Sequence, residues 1–176
     1  MTKFEQSVPQ YVTGNLPADQ LPAVAILGLQ DGFDSSSLWI LAGLGKNELT
    51  PDIEKYYYAA LKELNIAVPD LRLATLQYAL IIVRQIINGE KDIVDGIAEI
   101  HYKVLRRYDF WSEIKNYVYD SIYFNTLYGL LVTYEDLQYE HVEGVADKSE
   151  EMNNVKAEMH SALIEWNDVM KSYPGL

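Results

Sequence analysis

Apolar side chains recur every three or four residues along most of this 176-residue chain, the spacing that places them on one face of an α-helix. The stripe is longest after Pro69-Asp70, where it consists of Leu73, Leu76, Leu80, Val83 and Ile87. No stretch alternates apolar and polar residues between hairpin turns, as half-buried strands do. The sequence therefore predicts an all-α fold in which this helix is central to the core.

Helix start and stop signals divide the chain into about seven to eight helices. Capping residues precede the apolar stripes, and glycines follow several of them. The predicted helices are 3–12, 18–30, a short one capped by Asp34, one capped by Thr50, 70–88, 92–107 and 149–172. The tyrosine-rich segment 110–140 is predicted to be one long helix, or two with a break near Gly129. Residues 1–176 are expected to form a single domain, with helices 70–88 and 92–107 as its central hairpin.

Acidic residues concentrate between Glu135 and Glu151, where seven acids stand against one base, Lys148. This stretch holds half of the chain's net charge of −12 in a tenth of its length. Its second half, about residues 140–149, is predicted to be an exposed acidic loop before the last helix. An acidic surface repels nucleic acids and anionic membranes, so neither is an expected partner. It attracts a basic protein partner, although acidity also serves solubility alone.

The motifs of enzymes and metal proteins are missing from the sequence. The chain has no cysteine, and none of its three histidines belongs to a Glu-x-x-His or His-Glu-x-x-His motif. It contains no Gly-x-Ser-x-Gly motif, and Gly43-Leu44-Gly45-Lys46 lacks the spacing of a phosphate-binding loop. We therefore predict no catalytic, cofactor-binding or metal-binding residue. No secretion signal or membrane span is visible, so a cytoplasmic location is expected.

Fourteen tyrosines are the other unusual feature of the composition. Their rings can fill a helical core while the hydroxyls reach water, or they can form an interaction face. On one helix, Tyr117, Tyr119 and Tyr123 span more than half of the circumference, so they cannot all face inward. We expect Tyr119 and Tyr123 to be exposed contacts. Together with the acidic stretch they give the predicted partner-binding residues: Tyr119, Tyr123, Glu135, Asp136, Tyr139, Glu140, Glu143 and Asp147.

Three segments resemble stretches of small uncharacterised bacterial helical proteins. They are Gly32-Phe33-Asp34-Ser35-Ser36-Ser37-Leu38-Trp39-Ile40-Leu41-Ala42-Gly43-Leu44, then Tyr58-Ala59-Ala60-Leu61-Lys62-Glu63-Leu64-Asn65-Ile66, and Ile87-Asn88-Gly89-Glu90 followed by Asp95-Gly96-Ile97-Ala98-Glu99-Ile100. Some of those proteins are encoded near secreted toxins, which implies an immunity role. The resemblance covers roughly residues 30–105 and brings no catalytic residue with it.

The sequence thus favours a cytoplasmic, non-catalytic binding protein, and most specifically an immunity protein that occludes a basic toxin domain. Homo-oligomerisation is possible as well. The alternative is an enzyme or small-ligand binder with a pocket near Tyr78, His101, Tyr102 and Trp111. A buried polar cavity there, with a histidine of shifted pKa, would favour this alternative. A nucleic-acid mimic ranks last, because the acids outside 135–151 are largely interleaved with bases.

Overall fold

The structure is a computed structural model that describes residues 1–45, 48–139, 148–174 and 176. Within these residues it contains no strand and eight α-helices, which confirms the all-α prediction. The helices are α1 Lys3–Val12, α2 Leu21–Gln30, α3 Ser36–Gly43, α4 Thr50–Glu63, α5 Leu71–Ile87, α6 Ile93–Glu99, α7 Asn125–Tyr139 and α8 Lys148–Lys171. None of them combines the length and the apolar character that crossing a bilayer requires.

Internal contacts divide the chain into two compact units, Met1–Tyr78 (unit 1) and Ala79–Leu176 (unit 2). The expectation of one domain across residues 1–176 therefore stays a prediction. The boundary falls inside α5, the helix that the longest apolar stripe predicts.

The helix ends of unit 1 follow local capping chemistry. At α1 the Thr2 hydroxyl accepts a bond from the Glu5 amide at 3.2 Å, and the Glu5 carboxylate accepts one from the Thr2 amide at 2.7 Å. Two cap predictions are wrong by one residue. Ser35, not Asp34, caps α3, because its hydroxyl accepts the Leu38 amide at 3.2 Å. Thr50 lies inside α4, and Leu49 precedes that helix without a side-chain cap.

The core of unit 1 forms around aromatic rings from α1 and α4. Phe4 is fully buried, and its ring lies 6.3 Å from that of Tyr57 and 5.5 Å from that of Phe33. A Cβ at Gly28 would lie 3.0 Å from the Phe4 ring, which shows how closely α2 packs against α1 at this position. Ser7 and Tyr57 satisfy each other's hydroxyls at 3.0 Å inside this core.

The helices of unit 2 are less regular than predicted. The Asp92 carboxylate caps α6 by accepting the Val94 amide at 2.8 Å, so this helix begins at Ile93, one residue after its predicted start. The predicted helix 92–107 is α-helical only to Glu99, and then continues as a π-helix, Ile100–Val104, and a 3₁₀ turn, Leu105–Arg107. A Cβ at Gly96 would lie 2.4 Å from Ile86 Cδ1, which shows how closely α6 packs against the end of α5.

The prediction of a helix beginning near residue 110 is wrong. Residues 110–123 contain only two 3₁₀ turns, Phe110–Glu113 and Asp120–Ile122, and α7 begins at Asn125. The alternative break near Gly129 is wrong as well, since α7 runs through it. The last helix, α8, begins at Lys148, so residues 148 and 149 are helical rather than part of a loop. The rest of the predicted acidic loop, 140–147, lies outside the described residues.

Candidate functional site

The least regular segment of unit 2, residues 110–123, presents three large rings to solvent. We call this segment the aromatic loop. Trp111 is 59% exposed, Tyr117 69% and Tyr123 59%. Several large aromatic rings exposed on one segment are typical of an interaction site.

The carboxylate of Asp120 fixes the backbone of the aromatic loop. It accepts hydrogen bonds from the amides of Asn116 at 2.6 Å and of Lys115 and Tyr117 at 3.2 Å each. These amide bonds, that of Asn116 above all, hold the pKa of Asp120 below its usual value, because they stabilise the charged form. The same bonds explain why no helix forms here, since the side chain competes for amides that a helix would use.

The aromatic loop is also attached to α8 and to the residues after it. The buried indole of Trp166 donates a hydrogen bond from Nε1 to the Ile122 carbonyl at 2.8 Å. The Tyr173 hydroxyl donates to the Ser121 carbonyl at 3.3 Å. Phe124, directly after the loop, packs edge-on against Trp166 with ring centroids 5.5 Å apart. These contacts fix the backbone of the aromatic loop, which carries the exposed rings.

Tyr119 is the buried anchor of the aromatic loop, and the expectation that it is an exposed contact is wrong. Its side chain is 2% exposed, and its hydroxyl lies 3.2 Å from His101 Nδ1. Its ring contacts those of Phe110, Phe124 and Tyr128 at centroid distances of 5.7–6.3 Å. The expectation assumed a continuous helix, whereas the backbone at Tyr119 is left-handed, with φ 63°, and its ring lies in the core.

His101 lies in the π-helix and is buried among tyrosine rings. The ring centroids of Tyr102 and Tyr128 are 4.4 Å and 4.8 Å from that of the imidazole. Burial lowers the pKa of His101, because desolvation disfavours the imidazolium, and the nearby positive charge of Arg106 lowers it further. A π-helix and a buried histidine with a shifted pKa are both enriched at functional sites. These two features therefore favour the alternative hypothesis, an enzyme or small-ligand binder with a pocket near His101.

The residues of the predicted pocket have different environments. His101 is buried and its ring contacts that of Tyr102, whereas Tyr102 and Trp111 are 44% and 59% exposed. A surface depression of ≈ 330 Å³ beside Tyr102 is lined by Asp95, Ala98, Glu99 and Lys103, without His101 or Trp111. In the part of the chain that the structure describes, no three histidine or acidic side chains are arranged to hold a metal ion.

One of the two predicted acidic residues of α7, Glu135, contacts the π-helix. The Tyr102 hydroxyl donates to both carboxylate oxygens of Glu135, at 2.9 Å and 3.1 Å, and this bond raises the pKa of Tyr102. The Arg106 guanidinium lies 5.6 Å from the centre of the Tyr102 ring. Glu135 is half-buried, whereas Asp136 and Tyr139 are exposed at the end of α7.

Four of the eight predicted partner-binding residues are accessible in the structure: Tyr123, Glu135, Asp136 and Tyr139. Tyr119 is buried, and Glu140, Glu143 and Asp147 lie outside the described residues. Sequence reasoning left out Tyr117 and Asp120, and considered Trp111 only as part of a pocket. A signal for the loop was present, since Asp109, Asn116, Asp120 and Asn125 recur at short intervals and such residues favour turns over helix.

Comparison with known proteins adds no relative: no family model, no curated protein and no solved structure matches this chain.

Proposed function

We propose that this chain is a non-catalytic binding protein whose aromatic loop contacts a basic protein partner. Most specifically, we propose that the chain is a cytoplasmic immunity protein. Its partner would be a bacterial toxin domain, which the chain neutralises by occlusion. The support comes from the exposed rings, the fixed backbone that carries them and the negative charge of unit 2.

Tyr123 is the observation that carries the proposal. Its backbone is left-handed, with φ 58°, a conformation that costs most residues about 1–2 kcal/mol and that glycine or asparagine adopts more readily. Among the described residues its side chain has no hydrogen bond, ion pair or ring contact, and 59% of it is exposed. An exposed ring on left-handed backbone that makes none of these contacts supports a role in contact with another molecule.

The loop architecture suits rings that act as binding anchors. Tyrosine and tryptophan have two side-chain torsions, so they lose little entropy when a partner covers them. Because Asp120, Trp166 and Tyr119 already hold the loop backbone, little further ordering is needed on binding. Tyrosine and tryptophan are enriched among the few residues that carry most of the binding energy of protein interfaces.

The charge of unit 2 favours a basic partner. Residues 79–176 contain seventeen acids against nine bases. The exposed Asp136 lies in the last turn of α7, which ends at the exposed Tyr139. Such a field accelerates the encounter with a positively charged protein and repels acidic ones. The alternative, a catalytic or small-ligand pocket around His101, has less support because the imidazole is surrounded by the rings of Tyr102, Tyr119 and Tyr128.

Binding to a panel of purified, catalytically inactivated basic toxin domains tests the proposal. We expect at least one domain to bind the wild-type chain, with an affinity that falls as salt rises from about 50 to about 500 mM. Trp111→Ala should weaken that complex at least about tenfold. Trp39→Ala is the matched control, because Trp39 is 60% exposed and belongs to unit 1.

Charge reversal provides the second arm of this experiment. Asp136→Lys, and reversal of the predicted contacts Glu140, Glu143 and Asp147, should lower the association rate more than they raise the dissociation rate. The proposal fails if no toxin domain binds. It also fails if Trp111→Ala binds as well as wild type, or if salt and charge reversal leave the affinity unchanged.

A further inference from the structure

Three of the contacts that hold the aromatic loop differ in their response to acid. The Asp120 carboxylate binds loop amides, and these bonds keep its pKa below the usual value, so it stays charged in mild acid. The Trp166 indole, which binds the Ile122 carbonyl, does not titrate. The third contact joins the Tyr119 hydroxyl to His101, and an imidazole changes its charge between pH 5 and 8. Of the three, mild acid therefore acts on the His101 contact.

The Tyr119 hydroxyl is the donor in its bond with His101. Tyr119 is 2% exposed, and Nδ1 of His101 is the only hydrogen-bond partner of its hydroxyl among the described residues. A buried O–H needs an acceptor, so its proton is directed at Nδ1 and the imidazole carries its own proton on Nε2. A further proton is taken up at Nδ1, where it removes the acceptor of the Tyr119 hydroxyl. This bond therefore requires a neutral imidazole.

The surroundings of His101 offer no counter-charge to an imidazolium. The groups around it are those of Tyr102 and Arg106 from its own segment, Tyr119 from the aromatic loop and Tyr128 from α7. Among the described residues no carboxylate is bonded to the imidazole, and Glu135 of α7 accepts hydrogen bonds from Tyr102 instead. Burial, and then the charge of Arg106, lower the pKa of His101 from 6.5. The bond to Tyr119 is therefore complete above pH 6.5, and is lost as the pH falls below that value.

We propose that the bond between His101 and Tyr119 is a pH-sensitive contact that releases the aromatic loop in mild acid. Tyr119 is the buried anchor of the loop, and its left-handed backbone is a conformation that tyrosine rarely adopts without support from other contacts. A hydroxyl without an acceptor is costly to keep buried, so the ring separates from the π-helix more readily. The consequence for binding rests on the proposed function: a loop that is no longer preorganised binds its partner less tightly.

Hydrogen exchange of the chain without any partner tests the release of the loop. The Phe124 amide donates to the Tyr119 carbonyl at 3.1 Å and reports on it. Its protection factor, which corrects for the intrinsic effect of pH on exchange, should fall at least about tenfold between about pH 7.5 and about pH 5. The fall should coincide with the NMR titration of the His101 imidazole. Opening of the loop alone exposes little surface, so dilute urea should not accelerate this exchange.

Three variants show whether His101 is responsible. His101→Gln keeps a side-chain acceptor for the Tyr119 hydroxyl but takes up no proton, so the protection of Phe124 should be the same at both pH values. His160→Gln, at an exposed histidine of α8, is the matched control and should lose protection in acid as wild type does. Tyr119→Phe removes only the hydroxyl, and should lower the protection about fivefold at pH 7.5. It keeps the test decisive if circular dichroism shows that His101→Gln is not folded.

Several results would overturn the proposal. They are equal protection of wild-type Phe124 at both pH values, the same loss in folded His101→Gln, and unchanged protection in Tyr119→Phe. Acceleration by dilute urea to the extent seen for α8 amides would also overturn it, because acid would then unfold unit 2 as a whole.

The effect on binding is measured with a toxin domain that binds the wild-type chain. Its affinity should fall at least about fivefold more between pH 7.5 and pH 5 for wild type than for His101→Gln. Equal falls would overturn the regulation of binding. If no toxin domain binds, the proposed function fails, whereas the exchange measurement still decides whether acid releases the loop.

Discussion

The two units have different residue types at positions of left-handed backbone. The difference indicates which of these residues are there for the local fold and which have another role. In unit 1 these positions are held by Gly14, Gly32 and Asn65, the residue types that adopt positive φ most readily. In unit 2 two of them are tyrosines, Tyr119 and Tyr123. A residue that its local conformation does not favour needs another reason to be there. For Tyr119 the reason is the core, and for Tyr123 the exposed ring supports binding.

The helices show the same contrast. The helices α1, α2, α3 and α4 of unit 1 are α-helical from end to end. In unit 2 the helix from Asp92 changes into a π-helix at Ile100, and the aromatic loop replaces a predicted helix. Departures from local preference that cluster in one region are expected at functional sites rather than spread over a fold. The following predictions test whether this contrast holds.

Removing the attachment of the aromatic loop to α8 should have the largest effect. Trp166→Ala deletes a buried ring and leaves the Ile122 carbonyl without its donor, so we expect the free energy of unfolding to fall by about 3–5 kcal/mol. Trp111→Ala, on the exposed side of the same loop, should change it by less than about 0.5 kcal/mol. Urea unfolding of both variants checks this. Similar losses in the two would show that Trp111 is a core residue.

His101 should make unit 2 less stable in mild acid. Its pKa is lowered from 6.5 in the folded chain, so below that pH the unfolded chain binds the proton more readily. Stability is therefore fully present above pH 6.5, and falls as the pH drops from 6.5 towards the lower folded pKa. Urea unfolding at several pH values measures the slope. His101→Gln should reduce the slope, and His160→Gln, at an exposed histidine, should not. A slope that is the same in both variants would contradict the assignment.

The Asp120 carboxylate should order the backbone of the aromatic loop and have no effect on the stability of unit 1. In Asp120→Asn the amides of Asn116 and Tyr117 lose a charged acceptor, so their hydrogen exchange should accelerate. The amides of α4 serve as the internal control and should exchange as before. Unchanged protection at Asn116 would show that the loop is held by other contacts and is not preorganised by Asp120.

A local structure could be predicted from the sequence when the residues that determine it lie close together in the chain. The starts of α1 and α6 were predictable, because Thr2, Glu5 and Asp92 act within three residues of themselves. The conformation of the aromatic loop was predictable only in part. Asp120 binds amides three to five residues away, which is a local signal, but Trp166 contacts Ile122 and His101 contacts Tyr119, and these pairs are distant in sequence. We also predicted that Tyr117, Tyr119 and Tyr123 lie on one helix. The left-handed backbone at Tyr119 and Tyr123 rules out a continuous helix there.

The central claim is that the Tyr123 ring is kept for binding at some expense to stability, and Tyr123→Asn tests it most directly. Asparagine favours the left-handed backbone, so the free energy of unfolding should stay the same or rise by up to about 1 kcal/mol. The affinity for a toxin domain that binds the wild-type chain should fall at least about tenfold. A variant that binds like wild type, or that loses about 2 kcal/mol of stability or more, would show that the ring serves the fold and contradict the account.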